Sequence, residues 1–252
     1  MFDLARYDPR SGSASAGDER LSGADYEKYV LQLKRIGNDC GIVCNQSHAP
    51  FPSRAKGMEK YIMRAIECTA LAGGKICIVH PDNDKSAEEN AEFYARLLPL
   101  AKDCGVKIAA ENMWNWNAAE DHAAPAACSS AQDFLRHEEA ADDEYLVACL
   151  DIGHAEMRGL GTSAEEMIAV LGKKLQALHI HDNDKWHDSH ALPYTMQIDF
   201  AGIAAALKKA GYEGDFTLEA DTYLRRFDGD NVLSGLENMR RACERFYEDF
   251  NR

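Results

Sequence analysis

Positive charge is scarce in this chain: 28 Lys and Arg stand against 42 Asp and Glu, a formal net charge of -14. Long-range electrostatics therefore work against a nucleic-acid or anionic-membrane partner. No uninterrupted apolar stretch approaches the length of a membrane span, and the N-terminus MFDLARYDPR lacks the basic start and apolar run of a signal peptide, so a cytoplasmic setting is expected. No glycine-rich nucleotide fingerprint follows a strand-like segment. The eight cysteines supply no zinc motif, since Cys40 and Cys44 have no second pair nearby. Cys68, Cys77, Cys104, Cys149 and Cys243 lie in apolar segments, where a reduced thiol acts as a small hydrophobe.

What remains is a chain of 252 residues, 46% hydrophobic, the size of one eight-stranded α/β barrel. The alternation of elements supports that reading. Phe2 to Leu4 reads as a strand end, and the Ser/Gly/Ala-rich residues 10–23 read as a mobile loop. Helical spacing then runs from Asp25 to Cys40, from about Lys56 to Ala72, from Ala87 to Cys104, from Ser130 to Ala140, from Ser163 to Leu171, from Phe200 to Ala210 and from Asn231 to Phe250. Between these helices lie GIVCNQSH, KICIV, VKIAA, YLVACL, LQALHIH and DFTL, all strand-like. Strands alternating with helices predict parallel βα units, hence a single TIM-type (β/α)8 barrel domain over residues 1–252. Six clear strands and one fragment make seven, so the first βα unit is expected to be lacking or incomplete. The bare edge this leaves predicts a cover, either the N-terminal loop or a second subunit in a homo-oligomer.

Each clear strand ends in an acid or an imidazole: His48, His80, Glu111, Asp151, His179 and Glu219. A parallel barrel gathers these ends on one rim. The densest cluster is LQALHIHDNDKWHDSH, Leu175 to His190, in which strand alternation puts His179 and His181 on one face. Glu111, Asp151, His179 and Glu219 form a mixed donor set for Mn²⁺, Mg²⁺, Co²⁺ or Zn²⁺. Such an ion polarises a substrate carbonyl, and Glu111 and Glu219 form the natural pair to take and return a proton on the neighbouring carbon. His48, His80, His154, Asp182, Asp188 and His190 would hold sugar hydroxyls or a further metal. Trp114, Trp116 and Trp186 would line the pocket, because aromatic faces stack on sugar CH groups.

HIHDND, DSHALPYTMQIDF, GYEGDFTLEA, LDIGH and AAEN together resemble the xylose isomerase-like TIM barrel superfamily, which includes sugar (phosphate) isomerases, tagatose 3-epimerase-like enzymes, inosose-processing enzymes and endonuclease IV. The resemblance covers most of the chain from about His48. It implies a small sugar or polyol substrate, single-metal ligation by Glu111, Asp151, His179 and Glu219, and substrate contact by His154. It also implies that His179 rather than His181 is the ligand, because the family pattern is His, two residues, then an acid, here Asp182. The endonuclease branch adds ligands at positions matching His48, His80, His154, Asp188 and His190. A zinc phosphodiesterase (AP endonuclease) is therefore the first alternative, set back by the neutral or acidic loops DNDKSAEEN, NWNAAEDHAAP and DNDKWHDSH. A non-catalytic binding barrel is the second. ALPYTMQID departs from the glycine-rich turn usual in the family.

Overall fold

The computed structural model describes residues 2–252. In chain order the elements are β1 Ala5–Asp8, β2 Ser13–Ala16, α1 Glu19–Ser22, α2 Tyr26–Asp39, β3 Gln46–His48, α3 Glu59–Ala72, β4 Ile76–Ile78, α4 Ala87–Cys104 and β5 Lys107–Glu111. They continue with β6 Trp114–Asn117, β7 His122–Pro125, α5 Ala131–Ala141, β8 Leu146–Asp151, α6 Ile152–Ala155, α7 Ala164–Leu171, β9 Leu175–His179, α8 Phe200–Ala210, α9 Asp221–Leu224 and α10 Val232–Asn251. The chain is α/β and divides into two compact units. One holds the chain up to Glu111 with His137–Val147; the other holds Asn112–Arg136 with Ala148–Arg252.

In the first unit β3, β4 and β5 pair in parallel, with His48 level with Ile78 and Ile78 level with Ala109. Because side chains alternate, His80 and Glu111, two residues past those partners, fall on the same faces as Ile78 and Ala109. The intervening helices start and stop where their sequences say. Ser86 caps α4 in a capping box with Glu89, and Tyr94 from that helix donates its hydroxyl to Val79 O.

Three expectations in this unit are corrected. Phe2–Leu4 is a short 3-10 helix rather than a strand end, and residues 10–23 are no loose loop but most of an antiparallel hairpin, Ala5↔Ala16 to Asp8↔Ser13, with α1 behind it. Its turn is closed by the Asp8 carboxylate, which accepts from Arg10 N–H and the Ser11 hydroxyl, and by Gly12 at φ +64. The hairpin then docks on the chain near Lys56, through Ala14 N–H to Lys56 O and Lys56 N–H to Gly12 O. Third, the apolar run Ile42–Val43 is not strand; the strand begins at Gln46, and Ile42 and Val43 stay 65% and 78% exposed.

In the second unit β8 and β9 are parallel with Asp151 level with His179. DFTL contributes only a single bridge, Leu218 to Ile180, instead of a full strand. Backbone N–H groups of Ile180 and Glu219 nevertheless continue the ladder, to Thr217 O and Ile180 O, so Glu219 is still fixed at a strand-like end. The hairpin β6–β7, which pairs Trp114 with Pro125 and Asn117 with His122, has no counterpart in the periodicity of the chain. Trp114 packs there against Ala123, Met157 and Leu160. All eight cysteines are free thiols, and no helix among the described residues is long and apolar enough to cross a membrane.

Candidate functional site

The first unit brings His48, His80 and Glu111 together at three successive strand ends. His48 Nε2 lies 2.9 Å from His80 Nε2, and Glu111 Oε2 lies 3.3 Å from the former and 3.1 Å from the latter. His48 Nδ1–H donates to Ala49 O at 2.7 Å, which orients the ring with Nε2 facing the other two groups. Phe51 lies over the His80 ring, centroids 4.7 Å apart and planes 25° apart.

The second unit assembles a larger set. Asp151 and His179 are register partners, and His179 Nδ1 lies 2.9 Å from Glu219 Oε2. Asp188 Oδ2 lies 3.3 Å from Nε2 of His154 and 3.3 Å from Nε2 of His190. Again the far ring nitrogens are anchored on backbone, His154 Nδ1–H to Asn112 O at 2.9 Å and His190 Nδ1–H to Glu219 O at 2.8 Å. That is the support imidazole ligands ordinarily have behind them. Donors on a tetrahedral ion with bonds of about 2.0–2.2 Å are spaced about 3.3 Å apart. The separations in both units match that spacing, so the residues present fit a divalent cation.

Electrostatics in the second unit follow from burial and pairing. Burial alone would raise the Asp188 carboxyl, but hydrogen bonds from His154 and His190 outweigh it and hold the group well below the usual carboxylate range. Burial pulls the other way on His190, and Asp188 beside it overrides that and pushes its pKa up to about 9.

Several residues the sequence named take supporting parts. Asp182 is fully buried, and its carboxylate accepts four backbone N–H bonds, from Asn183, Thr195, Met196 and Ile198. This is how ALPYTMQID folds without glycines. The acceptor compensates a loop in which Lys185, His190 and Tyr194 hold positive φ, a conformation that costs about 1–3 kcal/mol at a non-glycine residue. Trp114 sits edge-on to His154 at 6.3 Å. Trp116 lies over His187, and Trp186 under Arg158, both more than a third exposed.

Two residues with a part in the site were left out of the ligand set read from the sequence, Asn112 unremarked and His181 ranked behind His179. Asn112 clamps Asp151 through both its amide groups, Nδ2–H to Asp151 O and Asp151 N–H to Oδ1. An Asn directly after a strand-end Glu was the available signal. His181, which the family pattern ranks behind His179, is fully buried, with Nε2 3.0 Å from Asp151 Oδ1 and 3.5 Å from Asp188 Oδ1. Its ring occupies the space a Cβ on Gly153 would need, only 1.9 Å from Cε1, so position 153 admits nothing larger than glycine.

The family model described as a xylose isomerase-like TIM barrel matches residues 10–245. An uncharacterized protein, MJ1311 of Methanocaldococcus jannaschii, is 26% identical over 210 residues, 76% of this chain and 68% of its own. The crystal structure of a D-tagatose 3-epimerase-like protein superposes with a TM-score of 0.68 at 22% identity, covering 90% of this chain and 88% of that one. D-psicose 3-epimerase of Clostridium cellulolyticum H10, crystallised with D-tagatose, gives 0.66 at 16% identity, covering 89% and 84%. At such identities the likeness to the solved structures speaks to the fold.

Proposed function

The chain belongs to the xylose isomerase-like TIM barrel family, and from that premise we propose that it is a divalent-metal-dependent isomerase or epimerase of a sugar or sugar phosphate, moving a proton through an enediolate. The observation that carries this reading is the placement of Asp151, His179 and Glu219, two of them register partners and the third 2.9 Å from the imidazole. These three would hold Mn²⁺, Mg²⁺, Co²⁺ or Zn²⁺. When bound, the cation supplies a Lewis acid that polarises the substrate carbonyl. Glu219 takes the proton from the adjacent carbon and returns it. His154, its Nδ1–H held by Asn112 O, presents Nε2 to a substrate hydroxyl, and Trp114 beside it offers an apolar face. Two solved relatives of the same fold carry sugar epimerase names, which supports the substrate class.

Glu219→Gln tests the reading on a panel of free and phosphorylated ketoses. Loss of a general base costs about 10²–10⁴-fold, so turnover should fall at least that far while the circular dichroism spectrum stays unchanged. Turnover within tenfold of the parent on an authentic substrate would sink the assignment.

A second reading, a metal-dependent phosphodiesterase, is favoured by one observation: each unit gathers its own imidazole–carboxylate set, His48–His80–Glu111 and His154–Asp188–His190. The formal charge of -14 weighs against a polyanionic substrate. Metal content separates the two, one exchangeable ion per chain for the isomerase and about three zinc ions for a site of the endonuclease type.

A further inference from the structure

We propose that α10 is a positioning element for the proton-transferring base: Arg245 and Asp249 near its end grip Tyr194, and through residues 190–194 they hold the backbone of Glu219. The kinetic part of this inference rests on the isomerase reading, the mechanical part does not. Arg245 and Asp249 stand four residues apart on α10 and so share a face. Asp249 is buried; its Oδ2 accepts the Tyr194 hydroxyl at 2.8 Å, and its Oδ1 lies 3.1 Å from Arg252 Nη1. The Arg245 guanidinium lies 3.8 Å from the centre of the Tyr194 ring, a cation on an aromatic face. Phe200 packs beside the same ring, centroids 5.1 Å apart. Burial and the Asp249 carboxylate both push the phenol up, so its hydroxyl stays a donor. Tyr194 holds φ +68, and a residue with a side chain keeps such a backbone only where its surroundings over-determine it. Here α10 supplies those surroundings.

The grip reaches the site along a short, stiff piece of chain. Pro193 fixes its own φ, Ala191 exchanges both backbone hydrogen bonds with Asp182, and His190 stands at φ +44. Residues 190–194 therefore act as a strap with little freedom left. At its far end the Thr222 hydroxyl is shared between Ser189 O and His190 O, each at 2.8 Å, and His190 Nδ1–H donates to Glu219 O at 2.8 Å. Displacing Tyr194 thus displaces the imidazole on which the Glu219 backbone rests. A base that is out of place slows the chemical step without weakening substrate binding.

The test compares Tyr194→Phe, which deletes one oxygen and keeps the ring, with Asp249→Ala, which deletes the acceptor, and with the double variant. On the ketose panel each single variant should lower kcat about tenfold and leave KM within about twofold. Because both break the same bond, the double variant should fall no more than about twofold below the singles. Amide exchange over residues 183–198 should speed up at least about tenfold in Tyr194→Phe while β3 to β5 keep their protection. An unchanged kcat, a loss confined to KM, or losses that multiply in the double variant would overturn the proposal. Unchanged exchange in Tyr194→Phe would overturn it as well, whatever the chain turns over and even where Asp249→Ala fails to fold. A parent that turns over no ketose removes the sugar reading instead and leaves the exchange measurement to decide on the strap.

Discussion

In the first unit His48, His80 and Glu111 sit at the ends of three neighbouring parallel strands, one residue per strand, and the sheet register alone brings them together. In the second unit a two-strand ladder, a buried amide, a strained loop and a glycine without room for a Cβ are all needed to gather Asp151, His154, His181, Asp188 and His190. Sheet register is a property of the whole fold and tolerates local change. A loop pinned by one carboxylate does not. The second unit should therefore be the more sensitive of the two to single substitutions, and its ligand geometry should depend on residues that never touch a substrate.

Asp182→Ala is the harshest way to break that contrast. Removing the carboxylate leaves the N–H groups of Asn183, Thr195, Met196 and Ile198 without their acceptor. Breaking a buried charged network costs about 3–5 kcal/mol. Urea denaturation should show a loss of that order, and amide exchange should speed up in the loop from Asn183 to Ile198 while β3 to β5 keep their protection. Equal loss of protection in both units would end the distinction drawn between them.

Asn112→Ala is the next step down. Its side chain holds both backbone groups of Asp151, and two lost buried hydrogen bonds cost about 2–3 kcal/mol. Because residues behind a ligand typically tune metal affinity by about 10–100-fold, zinc titration should show a drop in that range. Unchanged affinity would mean that Asp151 is placed by the strand alone, as in the first unit.

A pH titration of metal-free protein sharpens the comparison further. His190 is raised from 6.5 to about 9 by Asp188, so its contribution to stability is complete below pH 6.5 and is lost as pH rises through about 9. Asp188 is depressed, so its share is present above its ordinary 3.8 and is lost only in strong acid. Thermal unfolding should therefore reach its highest midpoint between about pH 4 and 6.5 and decline toward 9. Asp188→Asn should flatten the alkaline decline. A profile that the substitution leaves unaltered would remove the ion pair from the account.

The difference between the units also explains what the sequence could show. Alternating helices and apolar strands ending in His, Asp or Glu were legible, since strand period and helix period are local. KICIV and LQALHIH became strands, Ile76–Ile78 and Leu175–His179, with their charged ends where expected. The hairpin Ala5–Ala16 was not legible. It is built from Arg, Ser, Gly and Ala with no apolar alternation, and what holds it is a carboxylate-closed turn and backbone bonds to Lys56, which no local pattern records. The part of Asp182 was hidden for the same reason. HIHDND suggests a ligand or substrate contact, and only the fold reveals that its carboxylate is spent on loop amides 13 to 16 residues away. His181 was discounted by a spacing rule about a single ion, a rule silent on how deeply the ring is buried against Asp151 and Asp188.

The smallest effect is expected in the first unit, at Phe51. Its ring lies over His80 at 4.7 Å yet is 48% exposed. A half-exposed aromatic forfeits only part of the about 3–5 kcal/mol that a buried one gives up on truncation, and β3 to β5 hold His48, His80 and Glu111 by register whether or not the ring is there. Phe51→Ala should therefore cost about 1 kcal/mol in urea denaturation with an unchanged slope, and zinc affinity should shift less than tenfold. If affinity instead fell as far as in Asn112→Ala, His80 would owe its position to the aromatic above it rather than to its strand. The first unit's set would then be as dependent on its surroundings as the second's.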